Sequence, residues 1–239
     1  MFIAGPCSLE SYEQGLMDAL KCKELGIEYF RAGVFKPRTT PDSFQGLREK
    51  GMEVLNKIKE QTGIKVVTEL VDASFIPLYD NVDIIQIGSR NCQNFELLKA
   101  VAKTGKPVLL KRGFGMTVQE FLGAADYLTA YGCKNVIMCE RGIKTFETAT
   151  RNTLDLACVP IIQQASEYKV IVDPSHGTGK RNLVLPMAKA ALAVGADGLI
   201  IEATQIPDAA ITDSFQTIGY EQLEQLKKFY DNWTLSSAG

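Results

Sequence analysis

The chain has 239 residues, enough to bury one large core, and 46% apolar with 23% charged residues is the composition of a folded globular protein, which excludes a disordered chain. A formal net charge of −2 provides no overall field for nucleic acid or an anionic membrane, so an anionic partner must be held by locally clustered cations. No apolar run approaches the ~20 residues of a membrane span, and the opening residues lack a basic start and a cleavable apolar segment, which excludes a spanning helix and points to the cytoplasm.

In chain order, strand-like and helix-like segments alternate. The apolar run Phe2–Gly5 stops at Pro6-Cys7-Ser8, and Ser8 with Glu10 is expected to cap a helix over Tyr12–Leu25. Glu28–Val34 reads as the second strand, and Phe44–Thr62 as its helix, from Leu47, Met52, Leu55 and Ile58, with Gly63 closing it. Lys65–Val71 precedes a short helix at Ala73–Tyr79; Ile84–Gly88 precedes Phe95–Lys103. Pro107–Lys111 pairs with Val118–Tyr131, and Val136–Glu140 with Asn152–Tyr168. Lys169–Asp173 then pairs with Asn182–Val194, and Leu199–Glu202 with Tyr220–Tyr230.

The strand candidates are continuous apolar runs rather than alternating ones, the pattern of strands covered on both faces in parallel sheets. Gly26, Gly63, Gly105, Gly132 and Gly195 stand where helices give way to strands. Eight strand–helix pairs in this length predict an α/β fold, a (β/α)8 TIM barrel occupying residues 1–239 as a single catalytic domain without a regulatory domain. An open doubly wound sheet is the rival; the absence of G-x-G-x-x-G after the first strand speaks against it. Six cysteines (Cys7, Cys22, Cys92, Cys133, Cys139 and Cys158) are scattered without a C-x-x-C pair, as reduced thiols in the cytoplasm would be.

Chemistry in a barrel belongs at the C-terminal ends of the strands. There the sequence sets Cys7, Arg31 with Lys36-Pro-Arg38-Thr39, Glu69, Arg90, Lys111-Arg112, Glu140-Arg141, His176 and Glu202, with Asp213 in the loop beyond. Each has a bland explanation alone: a solvated cation, a Glu69 paired with a neighbour, a Cys7 that fills core, an Asp213 that caps its own turn. Surface decoration, however, would be as frequent at strand starts. His176 is the sole histidine and follows Val170-Ile-Val172 in Asp173-Pro-Ser-His176-Gly. Cys7, His176, Glu202 and Asp213 together make one thiol, one imidazole and two carboxylates, a set suited to Mn²⁺, Fe²⁺, Zn²⁺ or Co²⁺. Arg31, Lys36, Arg38, Arg90, Lys111 and Arg141 exceed what one carboxylate needs and suit two anionic substrates, at least one phosphorylated.

Gly5-Pro-Cys7-Ser8, Arg31 with Lys36-Pro-Arg-Thr39, Lys111-Arg-Gly113, Glu140-Arg-Gly142 and Asp173-Pro-Ser-His176 resemble, in order and over nearly the whole chain, the 3-deoxy-D-arabino-heptulosonate 7-phosphate (DAHP) synthases of the type I β subfamily. These are related to the 3-deoxy-D-manno-octulosonate 8-phosphate (KDO8P) synthases. The resemblance implies a transferase of the shikimate pathway and aromatic amino acid biosynthesis, a 3-deoxy-7-phosphoheptulonate synthase condensing phosphoenolpyruvate with erythrose 4-phosphate. It implies Cys7, His176, Glu202 and Asp213 as metal ligands, and Arg31, Lys36, Arg90, Lys111 and Arg141 as the phosphoenolpyruvate cations. Arg38 and Thr39 match the loop for the aldose phosphate, and relatives are commonly homotetramers. Thr212-Asp213-Ser-Phe stands where Ser-Asp-Gly is often found.

Lys36 and Glu69, beside His176, are the candidate catalytic groups for moving protons or placing water, with the cation cluster expected to favour ammonium loss from Lys36. Three other readings stay open: a KDO8P synthase using arabinose 5-phosphate, a non-catalytic phosphoenolpyruvate-binding barrel, and an aldolase with a Schiff base on Lys111. The Lys36-Pro-Arg-Thr39 loop differs from the asparagine-containing loop usual in KDO8P synthases.

Overall fold

In the computed structural model, which describes residues 1–37 and 40–237, the eight apolar runs are strands. They are β1 (Phe2–Gly5), β2 (Tyr29–Arg31), β3 (Lys65–Glu69), β4 (Ile84–Ile87), β5 (Val108–Lys111), β6 (Val136–Glu140), β7 (Lys169–Val172) and β8 (Gly198–Glu202). All pair in parallel with their sequence neighbours, and β8 returns to β1 with Ile3 opposite Ile200, closing the expected barrel. The crossovers are helices α1 (Tyr12–Glu24), α2 (Arg48–Thr62), α3 (Phe95–Ala102), α4 (Val118–Ala130), α5 (Cys158–Ala165), α6 (Pro174–Thr178), α7 (Arg181–Ala193) and α8 (Tyr220–Ser237). After β3 the crossover is a 3₁₀ segment, Ala73–Tyr79, where Pro77 lacks the N–H a longer helix needs.

Helix boundaries follow local chemistry. The cap of α1 is Ser11, which accepts from the Gln14 N–H, rather than Ser8 with Glu10; Ser8 instead hydrogen-bonds Thr212, and Glu10 accepts from the Ile211 N–H. Thr117 and Glu120 form a reciprocal capping box on α4. Three predicted elements are shorter than expected by four residues or more. The second strand leaves its ladder after Arg31 because Gly33 turns to exchange backbone hydrogen bonds with Cys7 and Leu9. Helix α2 starts at Arg48 instead of Phe44, since Gly46 and Arg48 hold positive φ of 88° and 56°. Helix α5 starts at Cys158 instead of Asn152, because Asn152 is drawn to α6 by hydrogen bonds to the Gly177 and His176 carbonyls and Asp155 pairs with Arg112.

Two cores result. The larger lies between sheet and helices and includes Phe30, Leu55, Ile85, Leu110 and Phe121. The smaller fills the barrel with Ile3, Val67, Ile84, Leu109, Ile137, Cys139, Ile171 and Ile200. Side chains two apart on a strand share a face. Two residues beyond this apolar layer therefore stand Glu69, Gln86, Lys111, Arg141, Asp173 and Glu202, with Arg31 following Tyr29 on β2. Arg112 and Glu140 have the opposite parity and face the helices, where they form a buried pair at 3.0 Å. All six cysteines are buried and free of disulfides. No helix among the described residues is long and apolar enough to cross a membrane.

Candidate metal and anion site

At the C-terminal mouth of the barrel, β1, α6, β8 and the loop after β8 bring Cys7, His176, Glu202 and Asp213 together. One ligand atom from each lies within 4.8 Å of the others. The Cys7 Sγ is 3.2 Å from Asp213 Oδ2, and His176 Nε2 is 3.1 Å from Glu202 Oε1 and 3.9 Å from Asp213 Oδ2. His176 stands on the one-turn helix α6. Asp173 caps that helix by accepting the His176 N–H, and its other oxygen holds the ring Nδ1 at 2.7 Å. This second contact leaves Nε2 turned toward the carboxylates, the usual arrangement of a metal-binding histidine and its outer carboxylate.

Burial sets the protonation states. It pushes the Cys7 thiol up to about 12, reinforced by the Glu202 carboxylate, so the thiol keeps its proton and donates it to Asp213. Burial also lowers His176, against the pull of Asp173 and Glu202, favouring neutral imidazole. For Glu202 burial acts upward, but the charge His176 carries once it is protonated, with that of Arg31, outweighs it and holds the carboxyl at about 2. The Arg31 guanidinium donates to Glu202 Oε1 at 2.8 Å. Borderline nitrogen and sulfur donors with two carboxylate oxygens, convergent and pinned from behind, fit a borderline divalent ion.

Beside this cluster lies a cavity of about 180 Å³ lined in part by Arg31, Lys36, Glu69, Arg90, Lys111, Arg141 and His176. Lys111 is clamped to Asp173 Oδ2 at 2.5 Å. Lys36 donates to Cys7 Sγ at 2.9 Å and to its carbonyl at 3.1 Å. Burial works against the Lys36 charge, yet Cys7, Glu69 and Glu202 raise its pKa above the ordinary lysine value. The expected ammonium loss is thus reversed, because the Cys7 sulfur that accepts from Nζ, with the carboxylates of Glu69 and Glu202, outweighs burial and the Arg31 charge. Glu69 sits opposite Gly88, where a first side-chain carbon would fall 1.9 Å from Glu69 Oε1 and displace the carboxylate from its present position. Arg38 and Thr39 lie outside the described residues.

Several contributors were not anticipated. Asp173 was read as part of a strand end, although its parity with Ile171 was a signal that it faces inward. Phe114 offers its ring to Arg141, at 4.6 Å, and to Arg90, at 5.8 Å. Arg151 and Gln216 come from loops, where strand parity has no reach; Arg151 lines the cavity and Gln216 donates to Glu202.

The profile of the DAHP synthetase I family matches residues 1–237. A phospho-2-dehydro-3-deoxyheptonate aldolase of Thermotoga maritima is 49% identical over 225 residues, which cover 94% of this chain and 67% of that protein. The crystal structure of the phospho-2-dehydro-3-deoxyheptonate aldolase (DAHP synthase) of Thermotoga maritima superposes with a TM-score of 0.94 at 47% identity, covering 100% of this chain and 69% of that one. A 2-dehydro-3-deoxyphosphooctonate aldolase of Desulfotalea psychrophila is 34% identical over 245 residues, 95% of this chain and 86% of that protein.

Proposed function

This chain belongs to the DAHP synthetase I family, and from that premise we propose that it condenses phosphoenolpyruvate with erythrose 4-phosphate to DAHP and inorganic phosphate, the first step of the shikimate pathway. One observation carries this reading: a four-donor cluster of thiol, imidazole and two carboxylates opens onto a cavity lined by convergent cations. A divalent ion, Mn, Fe, Zn or Co, held by Cys7, His176, Glu202 and Asp213 supplies Lewis acidity at the aldehyde oxygen when bound.

The side chains do the rest. Arg31, Lys36, Arg90, Lys111 and Arg141 hold the carboxylate and phosphate of phosphoenolpyruvate so that C3 faces the aldehyde carbon, a gain from proximity and orientation. Carbon–carbon bond formation leaves positive character at C2, where water adds; the C2–O bond to phosphate then breaks. Lys36, kept as ammonium beside Cys7, donates a proton to the oxygen of the former aldehyde. Glu69, across the cavity, accepts one from the adding water. Arg38 and Thr39 hold the phosphate of the sugar. The homotetramer and the cytoplasmic location belong to the same proposal, supported by the family and by six cysteines that carry no disulfide.

The 34% identity to a 2-dehydro-3-deoxyphosphooctonate aldolase favours arabinose 5-phosphate as the rival substrate; the Lys36-Pro-Arg-Thr39 loop favours erythrose 4-phosphate. Phosphate release from phosphoenolpyruvate with each sugar, with and without chelator, decides. Turnover with erythrose 4-phosphate that chelator abolishes is expected. Turnover confined to arabinose 5-phosphate would overturn the substrate, and chelator-insensitive turnover the metal.

A further inference from the structure

Arg151 stands where three loops meet, those after β6, β7 and β8. Its backbone N–H donates to the Thr178 carbonyl at 2.9 Å, at the end of the helix that carries His176. Its side chain packs so closely on Gly179, at φ 65°, that a first side-chain carbon there would come within 2.5 Å of Arg151 Cβ. The guanidinium Nη1 donates to Asp213 Oδ1 at 3.2 Å and to Gln216 Oε1 at 3.0 Å. The Gln216 amide in turn donates to Glu202 Oε2.

These contacts divide the two carboxylates. Asp213 Oδ1 and Glu202 Oε2 are taken up on the outer side by Arg151 and by its relay through Gln216. Asp213 Oδ2 and Glu202 Oε1 face Cys7 Sγ and His176 Nε2, with Glu202 Oε1 also accepting from Arg31 at 2.8 Å. Asp213 also holds φ 55°, the left-handed conformation that Asp tolerates better than most residues, with its carbonyl accepting from the Gln216 and Thr217 N–H groups of its own loop.

We propose that Arg151 is a positioning residue for the metal centre. It fixes one oxygen of Asp213 directly and one of Glu202 through Gln216, and thereby presets the other two oxygens toward the ion. This rests on the assignment of Cys7, His176, Glu202 and Asp213 as ligands. It differs from a substrate role, for which an arginine lining the cavity would serve equally well, in where the loss falls on substitution. A positioning residue changes ion affinity; a substrate contact changes the Michaelis constant of a phosphorylated substrate.

Metal-stripped protein titrated with Co²⁺, read by the thiolate-to-cobalt absorption band and by competition with a chelating dye, tests this. The proteins are the wild type, Arg151→Met, Arg151→Lys, Gln216→Ala and His176→Ala, each checked by thermal melting. Arg151→Met, which keeps the packing on Gly179, is expected to weaken Co²⁺ binding about 10- to 100-fold, the range for losing an outer-sphere partner. Arg151→Lys should recover part of the loss, since an ammonium reaches one acceptor but not both. Gln216→Ala should weaken binding less than Arg151→Met. Wild-type affinity in Arg151→Met, alongside lost binding in His176→Ala, would overturn the role of Arg151 and leave the ligand assignment standing. Wild-type affinity in His176→Ala would overturn the assignment itself. Unchanged Co²⁺ affinity with a raised Michaelis constant for erythrose 4-phosphate would make Arg151 a substrate contact and end the proposal. Should Arg151→Met fail to fold, Arg151→Lys and Gln216→Ala carry the test: wild-type affinity in both overturns it.

Discussion

Inside the barrel the same strands build two layers of opposite chemistry. The lower layer, with Val67, Ile84, Leu109, Ile171 and Ile200, is built of buried apolar side chains. One pleat further along the same strands, Glu69, Gln86, Lys111, Asp173 and Glu202 form the floor and walls of the site. The buried charges of the upper layer are tied to one another, Arg31 to Glu202 and Lys111 to Asp173, both side chains of each pair at most 5% exposed. Such pairs recover only part of their desolvation cost. The contrast teaches that the lower layer is selected for packing and the upper for placement, so the two should respond to substitution in different measurements.

The largest effect is expected in the upper layer. His176→Ala should abolish metal-dependent turnover, assayed as phosphate release, while the circular dichroism of the folded barrel is retained; full turnover would remove this residue from the chemistry. Asp173→Ala should come next, with both layers of consequence visible. It strands the buried Lys111 charge, a loss of about 3–5 kcal/mol in urea unfolding, and it releases the His176 ring. A stability loss without a fall in turnover would show that the ring needs no anchor.

Leu109→Ala tests the lower layer. It should cost about 2–5 kcal/mol of stability with the Michaelis constants of both substrates unchanged. A shifted Michaelis constant would mean that the apolar layer also sets the geometry above it.

The smallest effect concerns a buried charge treated differently from those in the barrel mouth. Asp18 on α1 is held by four neutral donors, Gln14, Thr204, the Gln205 N–H and Tyr220. Burial outweighs these hydrogen bonds and pushes its carboxyl up to about 6. The folded chain therefore holds this proton more tightly than the unfolded chain. The stabilisation is complete below about pH 4 and is lost as pH rises through about 6. Relative to Asp18→Asn, the wild type should lose on the order of 2–3 kcal/mol between about pH 4 and pH 7 in urea unfolding. A difference that stays flat would mean that the four donors keep Asp18 ionised throughout.

Much of the site was legible because it is built on strand ends. Arg31, Glu69, Lys111 and Glu202 close apolar runs and could be read off directly, while Cys7 and His176 stand just past two such ends. Arg112 and Glu140 stand at the same ends, yet they turn outward to each other. Their parity, one residue out of step with Lys111 and Arg141, was the available signal. The short second strand and the late start of α5 were not legible, because Gly33 and Asn152 answer to distant partners on other loops rather than to their neighbours.

By itself, the order of apolar runs and glycines determined a closed parallel barrel, since strands covered on both faces and joined by helices have few other ways to bury themselves. It also determined which types of donor and cation would collect at one rim. Only the tertiary structure decided how they are oriented: Asp173 behind both His176 and Lys111, and Arg151 and Gln216 behind Asp213 and Glu202. The physical reason is range. Pleat and helix periods act over a few residues, whereas the contacts that aim a carboxylate oxygen are made between loops that meet only once the ring has closed.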